Sequence, residues 1–146
     1  MRTPVSSPAS FLNLDLELES PVDLSPLAKH LEGLVLVLHC GKTENGYHLC
    51  LEPLIQGHLN ADPGICTEHM LSVIEELPPQ YQELWLSCKS RVFDYGYDGG
   101  LEDGPLSTQL SPVQLERMVK LGLALRITLY PYRANDESRE GTEIEA

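Results

Sequence analysis

The chain has 146 residues, a length suited to one domain and enough to bury roughly 70% of its unfolded surface without disulfide or metal staples. Ten Lys and Arg stand against twenty-two Asp and Glu, a formal charge of −12. Such a field repels nucleic acid and anionic membrane and speeds encounter with a basic partner, although acidity also serves solubility alone.

The first ten residues are rich in Ser and Pro and read as a flexible arm without the apolar core of a signal peptide. From Phe11 to Glu19, Leu12, Leu14, Leu16 and Leu18 alternate with Asn13, Asp15, Glu17 and Glu19, a strand with one wet face. Ser25-Pro26 opens a short helix as N-cap and first turn, and Gly33 closes it. The unbroken apolar run Leu34–Cys40 predicts a strand buried on both faces. Asn45-Gly46 supplies a tight turn, and Tyr47–Glu52 returns antiparallel.

A loop with Gly57, Pro63 and Gly64 precedes a second helix, capped by Thr67, apolar at Met70, Leu71, Ile74 and Leu77, and stopped by Pro78-Pro79. Glu83–Lys89, with Trp85, reads as a strand. Arg91–Tyr97 is either its hairpin partner or its continuation. After a glycine-rich acidic loop, Ser111-Pro112 opens a third helix with Leu115, Met118, Val119 and Leu121 as its apolar stripe, ended by Gly122. Leu123–Tyr130 is the last strand, and residues 134–146 form an acidic tail whose composition predicts disorder. Leu24-Ser25-Pro26, helix, Gly33, strand is echoed by Leu110-Ser111-Pro112, helix, Gly122, strand, which reads as an internal duplication. The expectation is a single α+β domain over 11–133, a mostly antiparallel sheet with about three helices on one face.

Residues Leu84-Trp85, Phe93-Asp94-Tyr95-Gly96-Tyr97, Leu110-Ser111-Pro112 and Ile127-Thr128-Leu129-Tyr130-Pro131 carry a resemblance. From about Leu71 to Pro131 the chain resembles a widespread bacterial domain family of unknown function. Its members pair a helix and a Trp-bearing strand with an aromatic-Asp-x-Gly-aromatic segment, a Leu-Ser-Pro helix and a strand ending in Tyr-Pro. They include proteins assigned as immunity proteins, encoded beside secreted toxins. The resemblance implies this α+β fold and a partner-binding role without catalysis.

Three kinds of site compete. His39 and Cys40, at the end of one strand, and His48 and Cys50, on its hairpin partner, offer zinc-type ligands, with His39 facing His48 if the loop has four residues; Cys66 and His69 add an i, i+3 pair. No CxxC or HxxxH cluster supports them, and buried cysteines serve equally as small apolar groups. For catalysis there is no nucleophile elbow and no Gly-rich phosphate loop. Asp94 with Asp98, or Glu102 with Asp103, could pair as acid and base, but acids in a solvated loop more often solubilise or contact partners.

The sharper reading is a binding surface of Asp94, Tyr95, Tyr97, Asp98, Glu102 and Asp103, in which tyrosines give contact area and acids orient a basic partner. Strand alternation places Asp94 and Asp98 opposite Tyr95 and Tyr97, so the tyrosines are core if the acids face out. Tyr130 and Tyr132 extend that patch or only anchor the last strand. The sequence-level expectation is a cytoplasmic immunity protein, monomer or homodimer, without metal or cofactor, that occludes a basic protein toxin such as a nuclease. A small hydrolase and a subunit self-associating through an edge strand are the alternatives.

Overall fold

The computed structural model describes residues 8–56, 62–101 and 104–132. Five strands form one sheet in the order β2-β3-β1-β4-β5: β1 (Ser10–Ser20), β2 (Val35–Thr43), β3 (Gly46–Pro53), β4 (Ser90–Asp98) and β5 (Ala124–Tyr130). The β1/β3, β1/β4 and β2/β3 pairs are antiparallel and β4/β5 is parallel. Among the described residues the helices are α1 (Ser25–His30), α2 (Pro63–Glu75), α3 (Pro79–Ser87) and α4 (Pro112–Lys120). The fold is the expected α+β domain, with one helix more than expected. No described helix is long and apolar enough to cross a membrane.

The two helix–glycine–strand units end at opposite edges of the sheet. β4, α4 and β5 make an adjacent parallel βαβ unit. β1, α1 and β2 also run β–α–β, but β3 inserts between their strands and turns the neighbours antiparallel. Gly33 and Gly122 occupy matching places, each at positive φ, +88° and +72°.

One face of the sheet holds the core. Leu14, Leu16 and Leu18 of β1, Leu49 and Leu51 of β3, and Phe93 of β4 are at most 1% exposed, packed with Met70 and Leu71 of α2. Leu12 breaks the alternation that would have buried it. The register shifts between Phe11 and Asn13, so Leu12 is the extra residue of a bulge, and Phe11 turns inward to meet Tyr97 edge-on at 5.4 Å.

Three other expectations are corrected. Glu83–Lys89 is not a strand: α3 carries Trp85, and the strand begins at Ser90, so Arg91–Tyr97 belongs to the single strand β4. Pro79 at the first helical position presets φ, and Tyr81, Leu84, Trp85 and Cys88 repeat at helical spacing toward the core. Pro78-Pro79 thus ends one helix and starts the next. Trp85 Nε1 donates to the Leu121 carbonyl at 3.1 Å, and the Arg91 guanidinium lies 5.6 Å over its ring.

Second, β2 is an edge strand, not a strand buried on both faces; Leu36, Val37 and Leu38 stay exposed because the helices cover the sheet's centre.

Third, two caps differ. α2 begins at Pro63 with Asp62 accepting from the Ile65 amide at 3.0 Å, and α1 is held by Asp23, which accepts from Ser25 N at 2.9 Å. Thr67 is fully buried inside α2. Ser111 caps α4 as expected, accepting from Gln114 N at 3.1 Å while Gln114 Oε1 accepts from Ser111 N, a capping box.

Candidate partner-binding face

The face of the sheet opposite the helices collects the polar residues of four strands. Asn13, Asp15, Glu17 and Glu19 project from β1. Cross-strand pairing sets Cys50 beside Glu17, His48 beside Glu19, Asp94 beside Asp15 and Arg126 beside Asp94.

Two polar assemblies result. On the β3 side, the Asn13 amide donates to Asp15 Oδ1 at 3.2 Å and to Glu52 Oε2 at 2.9 Å. On the β5 side, Arg126 Nη1 donates to Glu17 Oε1 at 2.9 Å and to Asp94 Oδ2 at 3.4 Å, and Thr128 Oγ1 donates to Asp94 Oδ1 at 2.7 Å. Gly96 makes room for this surface: a Cβ there would lie 2.6 Å from Asn13 Oδ1 and 3.5 Å from the Tyr130 ring. Tyr130, still 42% exposed, is therefore the aromatic that leans over the acidic face.

Crowding of carboxylates shows at Asp15. Partial burial, then the charge and hydrogen bond of Glu52, then Asp94 and Glu17, push the Asp15 carboxyl up from 3.8 to about 7. Asp15 thus holds its proton to near neutral pH. Burial, reinforced by Asp15, Glu17, Glu52 and Asp94, pushes the Cys50 thiol up to about 12.

The expected surface does not assemble as one patch. Asp94 lies on the open face, and Asp98, which accepts from Gly100 N at 3.0 Å, shares its side of β4. Tyr95 points the other way and is 3% exposed, so it presents nothing to a partner. Its hydroxyl is 2.7 Å from Thr67 Oγ1, and because that oxygen already donates to the Pro63 carbonyl at 2.7 Å, the tyrosine donates and the threonine accepts. Tyr97 is half-buried on the helix side, bonded to Thr108 Oγ1 at 2.6 Å. Glu102 and Asp103 lie outside the described residues.

The residues missed as a surface were Asn13, Asp15, Glu17, Glu52, Arg126 and Thr128. The alternation of β1 had marked its own wet face, but only the strand order brings Glu52, Asp94 and Arg126 alongside.

His39 and His48 do meet, with their Nδ1 atoms 2.9 Å apart, one ring donating to the other. They sit diagonally, since His39 pairs with Cys50 and His48 with Gly41. Among the described residues, the group of three or more ligand-type side chains within mutual reach is Asp15, Glu17 and Cys50, which includes neither histidine. Its two carboxylates fall short of the ~6–8 oxygens that calcium takes.

Comparison with protein-family models, with curated proteins and with solved structures gives no match. The resemblance over residues 71–131 thus rests on its motifs alone, and one departs from the family pattern: Trp85 stands on a helix where that pattern has a strand.

Proposed function

We propose that the protein is a non-enzymatic binding protein whose open sheet face docks on a basic protein surface, and that the partner is a toxin it neutralises in the producing cell. The observation that carries this reading is the charge of that face: Asp15, Glu17, Glu52 and Asp94 cluster on a flat sheet surface around one guanidinium, Arg126. A sheet fixes the spacing of these acids at the ~5 Å between strands, so they are pre-organised for Lys and Arg of a partner. Tyr130 adds aromatic contact at the rim. Where the toxin is a nuclease, the carboxylates take the positions of phosphates. Long-range attraction makes association fast and salt-sensitive.

Asp15 adds a signature. Docking a cation beside it favours its charged form, so binding expels the Asp15 proton. Affinity then rises as pH increases through about 7.

Co-expression with the toxin encoded next door tests the reading. Rescue of growth and a stable complex are expected, with a triple variant Glu17→Gln, Glu52→Gln and Asp94→Asn associating more slowly and with a flatter salt dependence. Absence of both rescue and complex rejects the reading; unchanged kinetics in the variant moves the interface off this face.

One observation favours a second reading. A carboxyl titrating near neutrality beside another carboxyl is what a general acid–base pair requires, so Asp15 and Glu52 would be the catalytic pair of a small hydrolase. Turnover of a glycoside or ester panel, lost in Asp15→Asn with the fold intact, would establish that alternative.

A further inference from the structure

The sheet has two edges, and they are built differently. β2 carries Lys42, and its register shifts between Val37 and His39, leaving Leu38 as an extra residue. A bulge and a lysine are the usual guards against edge-to-edge pairing. β5 has neither: its seven residues, Ala-Leu-Arg-Ile-Thr-Leu-Tyr, pair in continuous register with β4, and no described strand lies on its outer side. Its helix-side face is an apolar ladder, with Leu125 47%, Ile127 65% and Leu129 66% exposed. Two clefts, of about 360 and 180 Å³, run along that ladder and share Tyr97, Thr108 and Ile127. On the neighbouring helix, α4 turns Gln114 and Arg117 toward α2 through bonds to Gly64 O, Glu68 and Glu75, and leaves Leu115 and Val119 exposed on its opposite flank.

We propose that the protein forms a twofold homodimer by antiparallel pairing of β5 with β5 of a second copy, centred on Ile127. Self-complementarity selects this occupant, since β5 sets its own apolar ladder against itself. Charge permits it locally even between bodies of formal charge −12: β5 contains no acid, and its one charge, Arg126, is engaged by Glu17 and Asp94 of its own chain.

The sequence of β5 then selects the register. A twofold axis normal to the sheet sets residues of like face opposite each other, so it passes through a residue, not between two. Centred on Ile127, all seven residues pair. Leu125 meets Leu129 of the copy, Ile127 meets itself, Arg126 meets Thr128, and Ala124 meets Tyr130. The apolar ladders of the two copies thus cover one another. Centred on Arg126, two arginines stand opposed, a like-charge pair that costs stability. Centred on Thr128, Leu125 falls opposite Pro131, which has no amide hydrogen to donate. The interface is isologous and closed, consuming the edge instead of propagating it. It leaves the acidic face open on the same side of both copies.

Sedimentation of the full chain from micromolar to sub-millimolar concentration tests the proposal. A dimer is expected, and Ile127→Lys should weaken it by ~100-fold or more, since each dimer loses two buried isoleucines and gains two facing charges. Two cysteine variants in a Cys40→Ser background read the register directly: oxidation should cross-link Ile127→Cys between copies, while Leu36→Cys on β2 stays monomeric on denaturing gels. The cross-link remains decisive even if Ile127→Lys fails to fold. A monomer at every concentration, a dimer indifferent to Ile127→Lys, or a cross-link at Leu36→Cys without one at Ile127→Cys would each overturn the proposal.

Discussion

The two faces of this one sheet divide the molecule's tasks between alternate residues of the same strands. On β1, Leu14, Leu16 and Leu18 are at most 1% exposed under the helices, and Asp15 and Glu17, one bond away in sequence, look to solvent. On β4, Phe93 and Tyr95 face the core, and Asp94 between them holds Thr128 and Arg126. The covered face gains stability from apolar burial, at about 25 cal/mol per Å². The open face gains little, because its ion pairs are solvated and its acids repel one another. Residues that contribute so little to folding are free to be chosen for what they contact, and this is the physical ground for placing recognition on that side.

Substitutions on adjacent residues should therefore differ in kind. The largest effect is expected from Phe93→Ala, which removes a fully buried ring and leaves a cavity in the core. Such truncations cost about 3–5 kcal/mol, read as a lowered urea midpoint. A loss under ~1 kcal/mol would mean the core is looser than its burial indicates. Tyr95→Phe is milder: the ring stays, Thr67 keeps its bond to the Pro63 carbonyl, and only the hydroxyl's donation is lost. About 1 kcal/mol is expected, again read as a lowered urea midpoint.

Crossing to the open face, Arg126→Ala leaves Glu17 and Asp94 without their counter-charge. Because the arginine is about half exposed, the cost should be at most ~1 kcal/mol, and it should shrink in 1 M salt, where the Debye length is ~3 Å. In contrast to Phe93→Ala, this substitution should strengthen docking of the proposed basic partner, since it removes the guanidinium from between Glu17 and Asp94.

How much of this division could be read beforehand follows from the range of each signal. The wet and dry faces of β1 and the cap of α4 are local patterns, written in alternation and in Ser111-Pro112-x-Gln114. Leu84-Trp85-Leu86 was misread because a short apolar run suits a strand or a helix equally. The deciding clue was the wider spacing of Tyr81, Leu84, Trp85 and Cys88 together with Pro79. Leu34–Leu38 was misread because an unbroken apolar run signals burial only if something covers it, and coverage depends on where the helices land. The acidic face was half legible: β1 declared its acids, but Glu52, Asp94 and Arg126 join them through strand order, a long-range property that no window of sequence contains.

The most discriminating change is Asp15→Asn. In the folded chain the Asp15 carboxyl is raised to about 7 from an ordinary 3.8. The folded state therefore binds this proton more tightly than the unfolded chain does. The sign follows from linkage: the stabilisation is fully present below about pH 4, declines as pH rises, and is gone once pH passes about 7. An asparagine keeps the shape and cannot ionise, so the variant should lack this decline. Its urea midpoint relative to the native chain should be lowest near pH 4 and rise steadily to pH 8. If the difference stays flat across that range, Asp15 is an ordinary exposed carboxylate and the clustering of acids around it exerts no strain. If it rises as expected, the open face holds charge at the expense of folding, a cost that a cation docked beside Asp15 would offset.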